Sequence, residues 1–294
     1  MKIPRTTLEQ WRILQAVVDH GGYAQAATVM HRSQSSISYT LQRMQEKLGL
    51  QLLQIDGRKA RLTSAGEAML RQARHLLEDA SMLEDNASNL ARGWETEINL
   101  VVDVAYPTAL LMNALREFAP RSKGTRVQVR EEALSGVDEA LLEGRADLAI
   151  GTRVPQGFLG DRLQVIEFVA VAHRDHPLHN SKTPLTTHDL RHDIQIVIRD
   201  SGQHHQQDLG WLGADQRWTV TNIDTAITLV TNGLGFGWMP LHEVDDKLTE
   251  GTLKQLPLSH GQIRQNTLYL IFGHQENPGP ATELLASCLR QIAE

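Results

Sequence analysis

Side chains with an evident capacity for chemistry sit in a few short stretches, and most of them lose that reading on inspection. His173, His176 and His179 form HxxHxxH, a histidine density that suggests metal ligation. That spacing does not place all three on one helical face, a proline follows in "DHPL", and the segment leaves a strand for a loop, so no metal site is expected. The pair His204-His205 offers no stronger set. Cys288 is the single cysteine, without a partner for a disulfide or a CxxC zinc cluster, and it suggests no redox switch. "GLGFGW" at 233–238 has the glycines of a nucleotide loop. It follows an expected helix and precedes a strand, the reverse of the dinucleotide order, and reads as a turn. What remains is "RSQSSISYTLQRMQEKLG" at 32–49, a run of short hydroxyl and amide side chains set directly before an amphipathic stretch. Their chemistry is directed hydrogen bonding rather than catalysis.

The elements that position these groups follow from apolar spacing. Leu8, Trp11, Leu14 and Val17/Val18 recur at helical intervals until "DHGG" at 19–22 stops the helix. A short second helix over 23–30 carries Ala26-Ala27, small enough for a close helix approach. Ser33 then offers an N-cap oxygen. Ile37, Leu41, Met44 and Leu48 line one face of a third helix that ends at Gly49. Its other face presents Gln34, Ser35, Ser38, Tyr39, Gln42 and Arg43. A helix N-terminus with little bulk suits entry into the major groove of duplex DNA, where Gln pairs with adenine and Ser with several bases. The plainer alternative is an exposed Ser-rich face with no partner. Residues 50–63, "LQLLQIDGRKARLT", read as two short strands around a turn that carries Arg58 and Lys59, a wing able to reach backbone phosphate.

Over about sixty residues from Leu8, the Ala-Ala, Ser-Gln, Ile-Ser, Leu-Gly, Gly-Arg and Leu-Thr-x-Ala-Gly landmarks closely resemble the winged helix-turn-helix of LysR-type transcriptional regulators. The resemblance implies DNA contacts at Gln34, Ser35, Ser38, Tyr39 and Gln42 in the groove, with Arg58 on phosphate. Several positions depart from the family pattern. Ser35 replaces a usual Pro, Tyr39 a frequent Arg, Met44-Gln45 a usual Leu-Glu pair, and Leu53 and Ile55 the wing's common Phe and Arg. Bases read by Tyr39 should therefore differ from those an Arg would choose.

Beyond Gly66, the residues Met69, Ala73, Leu76, Ala80, Leu83, Ala87 and Leu90 alternate steps of four and three, the seam of a coiled coil. Pairing with the same helix of a second copy would bury it and present two reading heads to a two-fold DNA site. Packing on the chain's own body is the alternative. From Glu97 onward short apolar strands alternate with helices, an open α/β arrangement with a mainly parallel sheet. Crossover strands near 165–172 and 267–272 would join two lobes around a cleft. "LLEGRADLAIG" and "LVTNGLGFGWMP" make this half similar to the effector-binding domain of the same family, with its type II periplasmic-binding-protein fold and an inducer held between the lobes.

The expected fold is therefore α/β: an all-α winged helix-turn-helix at 1–66, a dimerising linker helix at 67–92, and a two-lobed effector domain at 93–294. Lobe I takes about 93–165 and 272–294, lobe II about 166–271. Ligands in open α/β sheets bind beyond the carboxyl ends of strands. That rule selects Asp103, Tyr106, Thr108, Ser135, Thr152, Arg153, Arg199, Asp200, Ser201, Thr221 and Asn222 as effector contacts. Two arginines and several helix ends suggest an anionic effector, while Asp103 and Asp200 would instead receive hydroxyl or amine groups, and each residue alone reads equally well as a cap or surface polar group.

Charge supports the division. The chain's net charge of -6 conceals nine Lys or Arg against four Asp or Glu in residues 1–66, an asymmetry that suggests a basic module meeting a polyanion, attached to an acidic body that does not, or else a small basic domain that is simply solvated. The start lacks a signal peptide's apolar core, no later apolar run approaches the roughly 18 residues of a membrane span, and a soluble cytoplasmic protein is expected. No nucleophile with its base is legible, and no catalytic residue or cofactor is assigned. The reading is a sequence-specific regulator whose partners are double-stranded DNA, a small-molecule effector, further copies of itself as homodimer or homotetramer, and RNA polymerase. A two-lobed enzyme and an architectural DNA-binding protein without effector are the alternatives.

Overall fold

The computed structural model describes residues 3–56, 59–204, 211–273 and 278–293, with the side chains of 55, 56 and 59 not described. The chain divides into two compact units, Met1–Asn89 and Leu90–Glu294.

In the first unit, α1 (Leu8–Asp19) opens on a reciprocal cap. Gln10 N–H donates to the Thr7 hydroxyl and Thr7 N–H to the Gln10 side-chain oxygen. It is followed by α2 (Tyr23–Val29) and α3 (Gln34–Leu48). Ile13, Leu14 and Val17 of α1, Ala26 and Ala27 of α2, and Ile37, Leu41 and Met44 of α3 close one core. Strands β1 (Leu53–Asp56) and β2 (Lys59–Leu62) pair antiparallel, Leu53 opposite Leu62. Gln45 near the end of α3 accepts the backbone N–H groups of Leu52 and Leu53, at 2.7 and 3.1 Å, and so fixes where the wing departs.

The long helix α4 (Ser64–Ala91) starts three residues earlier than the sequence reading placed it, because the Thr63 hydroxyl accepts from Gly66 N–H and caps its first turn. Of the expected seam, Ala73 is buried and Met69 packs on the three-helix core, whereas Leu76, Leu83 and Leu90 are exposed, Leu83 to 71%. No helix among the described residues is long and apolar enough to cross a membrane.

Among the described residues, the second unit is built on a nine-stranded sheet. Strands β3 (Glu97–Asp103), β4 (Arg126–Glu132) and β5 (Leu148–Gly151) run parallel, with α5 (Thr108–Phe118) and α6 (Ser135–Leu142) between them. The two longest strands, β6 (Gly160–His173) and β11 (Ile263–Phe272), lie antiparallel and span both lobes. On the far side, β7 (Ile194–Ile198), β8 (Gln216–Val220) and β9 (Phe236–Pro240) form a second set, parallel among themselves, with α7 (Ile223–Thr231) packed on it. Order across the sheet is β4-β3-β5-β11-β6-β9-β7-β8. The expected "mainly parallel" description holds within each lobe, and the β6–β11 crossover is where it fails. Two elements, α8 (Leu241–Thr249) and β10 (Leu253–Gln255), have no counterpart in the sequence reading; β10 pairs with β6 as an extra edge. The chain closes with α9 (Pro280–Ala293), packed on α5. Its first turn is held by the Glu95 carboxylate, which accepts from the N–H groups of Ala281 and Thr282.

Candidate DNA-reading face and effector cleft

Ser33 caps α3, its hydroxyl accepting from Ser36 N–H at 3.2 Å. The helix therefore starts on the polar face itself, at Gln34, and Gln34, Ser35, Ser38, Tyr39 and Gln42 all stand exposed over the buried Ile37, Leu41 and Met44. Tyr39 is 64% exposed. Gln42 is held by an i,i+4 contact to Glu46 at 3.2 Å, and Arg43 by Glu46 at 2.9 Å. Arg32, just before the cap, forms an ion pair with Glu9 of α1, and Arg74 of α4 pairs with Asp19 at 2.6 Å. The helix start is thus braced against its unit while its polar side chains point outward. Arg58, expected on phosphate, lies outside the described residues.

In the second unit a cavity of about 240 Å³ opens between the lobes. Its walls are mostly apolar, from Ile166 and Phe168 of β6, Ile196 and Ile198 of β7, and Leu268 of β11. Trp211 and Trp238 stand at one side with ring centroids 6.1 Å apart, and the Arg264 guanidinium lies 4.2 Å over the Trp238 ring. Burial lowers the Arg264 pKa from its ordinary value.

Asp103 ends β3 at the cavity wall, 3% exposed. Its Oδ1 accepts from Ala105 N–H at 2.9 Å. The Leu134 amide lies near enough to lower the carboxyl's pKa, but no donor among the described residues reaches Oδ2 in hydrogen-bonding geometry. Burial outweighs both amides and, with Asp138 and Asp200 adding repulsion, pushes Asp103 up to about 6. Burial likewise raises Asp138 while Arg153, hydrogen-bonded to it, pulls it down.

Beside this cleft the two lobes are laced together. Ser135, at the N-terminus of α6, donates its backbone N–H and its hydroxyl to Asp200, at 3.1 and 2.8 Å. The Ser201 hydroxyl accepts Ala133 N–H at 2.8 Å and donates to Ala133 C=O at 3.0 Å. Glu139 accepts Gln203 N–H and His204 N–H at 2.8 and 2.7 Å. The approach requires glycine on both sides: a Cβ on Gly136 would sit 2.0 Å from the Ser201 hydroxyl, and one on Gly202 2.0 Å from that of Ser135. A second cavity outside this lacing is lined by Arg199, Asp200, Ser201 and Thr221.

The structure therefore distributes the expected effector residues unevenly. Asp103 and Thr152 line the central cleft. Ser135, Asp200 and Ser201 bind each other's lobes. Arg153 pairs with Asp138 and Arg199 faces the outer cavity, so neither arginine lines the central cleft; Arg264 stands there instead. Tyr106 is buried with its hydroxyl unpartnered and its pKa pushed up to about 12, Thr108 is exposed on the first turn of α5, and Asn222 caps α7 through Thr225 N–H. Sequence reasoning missed Gln195, Trp211, Trp238, Arg264 and Asn266. A polar residue inside the apolar run "IQIVI" was the available signal for Gln195. Among the described residues, the one group close enough to share a metal is Glu139, Glu143 and His204, and Glu139 is occupied by backbone amides; His173, His176 and His179 do not converge.

Residues 8–67 match the family described as bacterial regulatory helix-turn-helix protein, lysR family, and residues 91–294 match the LysR substrate binding domain. The probable HTH-type transcriptional regulator YhaJ of Escherichia coli K12 is 31% identical over 253 residues, which is 84% of this chain and 85% of the relative. The HTH-type regulator PunR of the same organism is 27% identical over 84% of this chain and 82% of its own. Among solved structures, ArgP of Mycobacterium tuberculosis superposes with a TM-score of 0.56 at 18% identity, covering 97% of this chain and 96% of the other. Full-length LysG of Corynebacterium glutamicum with bound effector Arg gives 0.53 at 16% identity, covering 98% of both chains.

Proposed function

This chain belongs to the LysR-type family of transcription regulators, and from that premise we propose how its two units divide the work. It is a regulator with a DNA-binding helix-turn-helix unit and an effector-binding α/β unit, in a family of regulators rather than enzymes. The observation that carries the rest is the α3 face, where five hydrogen-bonding side chains stand exposed at a capped helix start on a basic module. In this reading Gln34, Ser35, Ser38, Tyr39 and Gln42 contact base edges in the major groove, each good bidentate pair discriminating by about 1–3 kcal/mol. Arg58 holds backbone phosphate, adding affinity without sequence preference.

Leu76, Leu83 and Leu90, exposed along α4, give a second copy its docking seam, and a homodimer or homotetramer places two α3 helices on a two-fold site. The effector enters the cleft lined by Asp103, Thr152 and Arg264, beside the lacing of Ser135 to Asp200. Differential affinity of a few kcal/mol for one lobe arrangement suffices to bias the oligomer on DNA. An anionic effector would rest on Arg264 in the central cleft or on Arg199 in the outer cavity. RNA polymerase is the partner through which such a shift reaches transcription, and the cytoplasm is the compartment where all of these meet.

The test is sedimentation combined with duplex binding. Wild type is expected to sediment as a dimer or larger and to bind a short two-fold site, with affinity falling steeply between about 50 and 200 mM salt. Leu76→Glu/Leu83→Glu is expected to be monomeric and to lose the two-fold site. A monomeric wild type that ignores every duplex at low ionic strength overturns the reading.

A further inference from the structure

The central cleft contains two buried hydrogen-bond acceptors, one from each lobe, that no donor among the described residues reaches in hydrogen-bonding geometry: Asp103 Oδ2 at the end of β3 and Gln195 Oε1 in β7. Both residues are 3% exposed. Their remaining polar atoms are engaged, Asp103 Oδ1 by Ala105 N–H and Gln195 Nε2 by the Trp211 carbonyl at 2.7 Å. That carbonyl accepts only, so it fixes which end of the Gln195 amide is nitrogen and leaves the oxygen as the unsatisfied end. Burying an acceptor without a partner is unfavourable, and more so for a carboxylate. A ligand that supplies N–H or O–H groups to both atoms removes that penalty and ties lobe I to lobe II in one step.

Three further features restrict what such a ligand is. The Trp211 and Trp238 rings and the aliphatic walls favour a flat apolar body. The volume of about 240 Å³ exceeds the roughly 150 Å³ of a cavity that holds benzene, which admits one substituted ring or two fused rings. Asp103 and Arg264 bring opposite formal charges to the same cavity, so a net charge on the ligand would be opposed by one of them. Arg264, already stacked on Trp238, offers guanidinium donors to a ring carbonyl or ring nitrogen.

Resting on the reading of this cleft as the effector site, we propose that the effector is an uncharged planar ring compound carrying at least two N–H or O–H donors, recognised by Asp103 and Gln195 from opposite lobes. This differs from the anionic effector that the helix ends and the arginines of the sequence suggested, and agrees with the alternative that Asp103 receives a hydroxyl or amine group.

Two matched sets of small probes test it on the full-length chain, read by tryptophan fluorescence and by thermal shift. One set is uracil, its donor-free 1,3-dimethyl derivative and orotate; the other is resorcinol, 1,3-dimethoxybenzene and benzoate. Uracil or resorcinol is expected to bind at least about tenfold tighter than the donor-free and the anionic members of its set. Asp103→Asn and, separately, Gln195→Leu are each expected to erase most of that preference while leaving the donor-free probe unchanged; the second variant keeps the test decisive if the first folds poorly. Equal binding of the methylated probes overturns the donor requirement. Preference for orotate and benzoate, lost in Arg264→Gln, overturns the proposed class while leaving the cleft as effector site. No response to any probe at about 10 mM counts against the class and the cleft together.

Discussion

The α3 face and the interlobe cleft both gather polar side chains, and they do so under opposite physical conditions. On α3 the groups are exposed and hydrated, so holding Gln34 or Tyr39 there costs the fold almost nothing, and the buried stripe of Ile37, Leu41 and Met44 beneath carries the stability. In the cleft, Asp103 and Gln195 are buried with acceptor atoms unsatisfied, so the fold is less stable for having them. A surface that reads a polyanion can be rigid and stable before its partner arrives. In the proposed reading, the cleft keeps part of its hydrogen bonding for the small molecule it binds.

The comparison breaks most visibly at the core. Leu41→Ala removes a side chain that is almost wholly buried beneath α3 and is expected to destabilise the first unit by about 3 kcal/mol, leaving unfolding of the second unit unchanged in a denaturant titration that resolves both. An equal loss in both units would show that they do not hold separate cores.

A change of opposite sign is expected at Asp103. Its carboxyl is pushed from an ordinary 3.8 to about 6 in the fold, chiefly by burial. The folded state therefore holds the proton more tightly than the unfolded chain does, and the stability this contributes is complete below about pH 4 and lost as pH rises through about 6. Asp103→Asn, which never ionises, should be more stable than wild type by on the order of 2 kcal/mol near pH 7.5 and no more stable near pH 4. A pH-independent difference in the unfolding midpoints would remove the unsatisfied carboxylate from the account.

The smallest effect is expected at the lacing. Ser135→Ala deletes the hydroxyl donated to Asp200 but retains the backbone N–H groups of residue 135 and Gly202 on the same carboxylate, and should cost about 1 kcal/mol, confined to the second unit. A cost several times larger would mean that this hydroxyl, rather than the crossover strands, joins the lobes.

The two regions also differed in how legibly the sequence wrote them. The third helix is specified within eighteen consecutive residues. Its cap, its apolar period and its terminal glycine are local, and Ser33, Ile37, Leu41, Met44 and Gly49 sit where their types demand. The cleft draws on positions from 103 to 268, brought together by the antiparallel pairing of β6 with β11 and by the placement of β9 between β6 and β7. The rule that ligands lie beyond strand ends selected Asp103 and Thr152, which line the cavity, but could not select Gln195, Trp238 or Arg264, which line it from the bodies of strands. It also selected Ser135, Asp200 and Ser201 as ligand groups. The fold uses them to join the lobes, Ser135 to Asp200 and Ser201 to the Ala133 backbone, because Gly136 and Gly202 let the lobes approach closely enough, and nothing local in either segment announces the other. The overlooked α8 and β10 follow the same logic, since β10 is three residues long and exists only as an edge added to β6.

The central claim, that the start of α3 reads bases, is tested most directly by selecting binding sites from randomised duplexes with the full-length wild type and with Gln34→Ala at one fixed salt concentration. Preference at one position of each half-site is expected to fall by about tenfold while the remaining positions and the half-site spacing persist. If the variant recovers the same site with the same preference at every position, α3 does not lie in the groove as described.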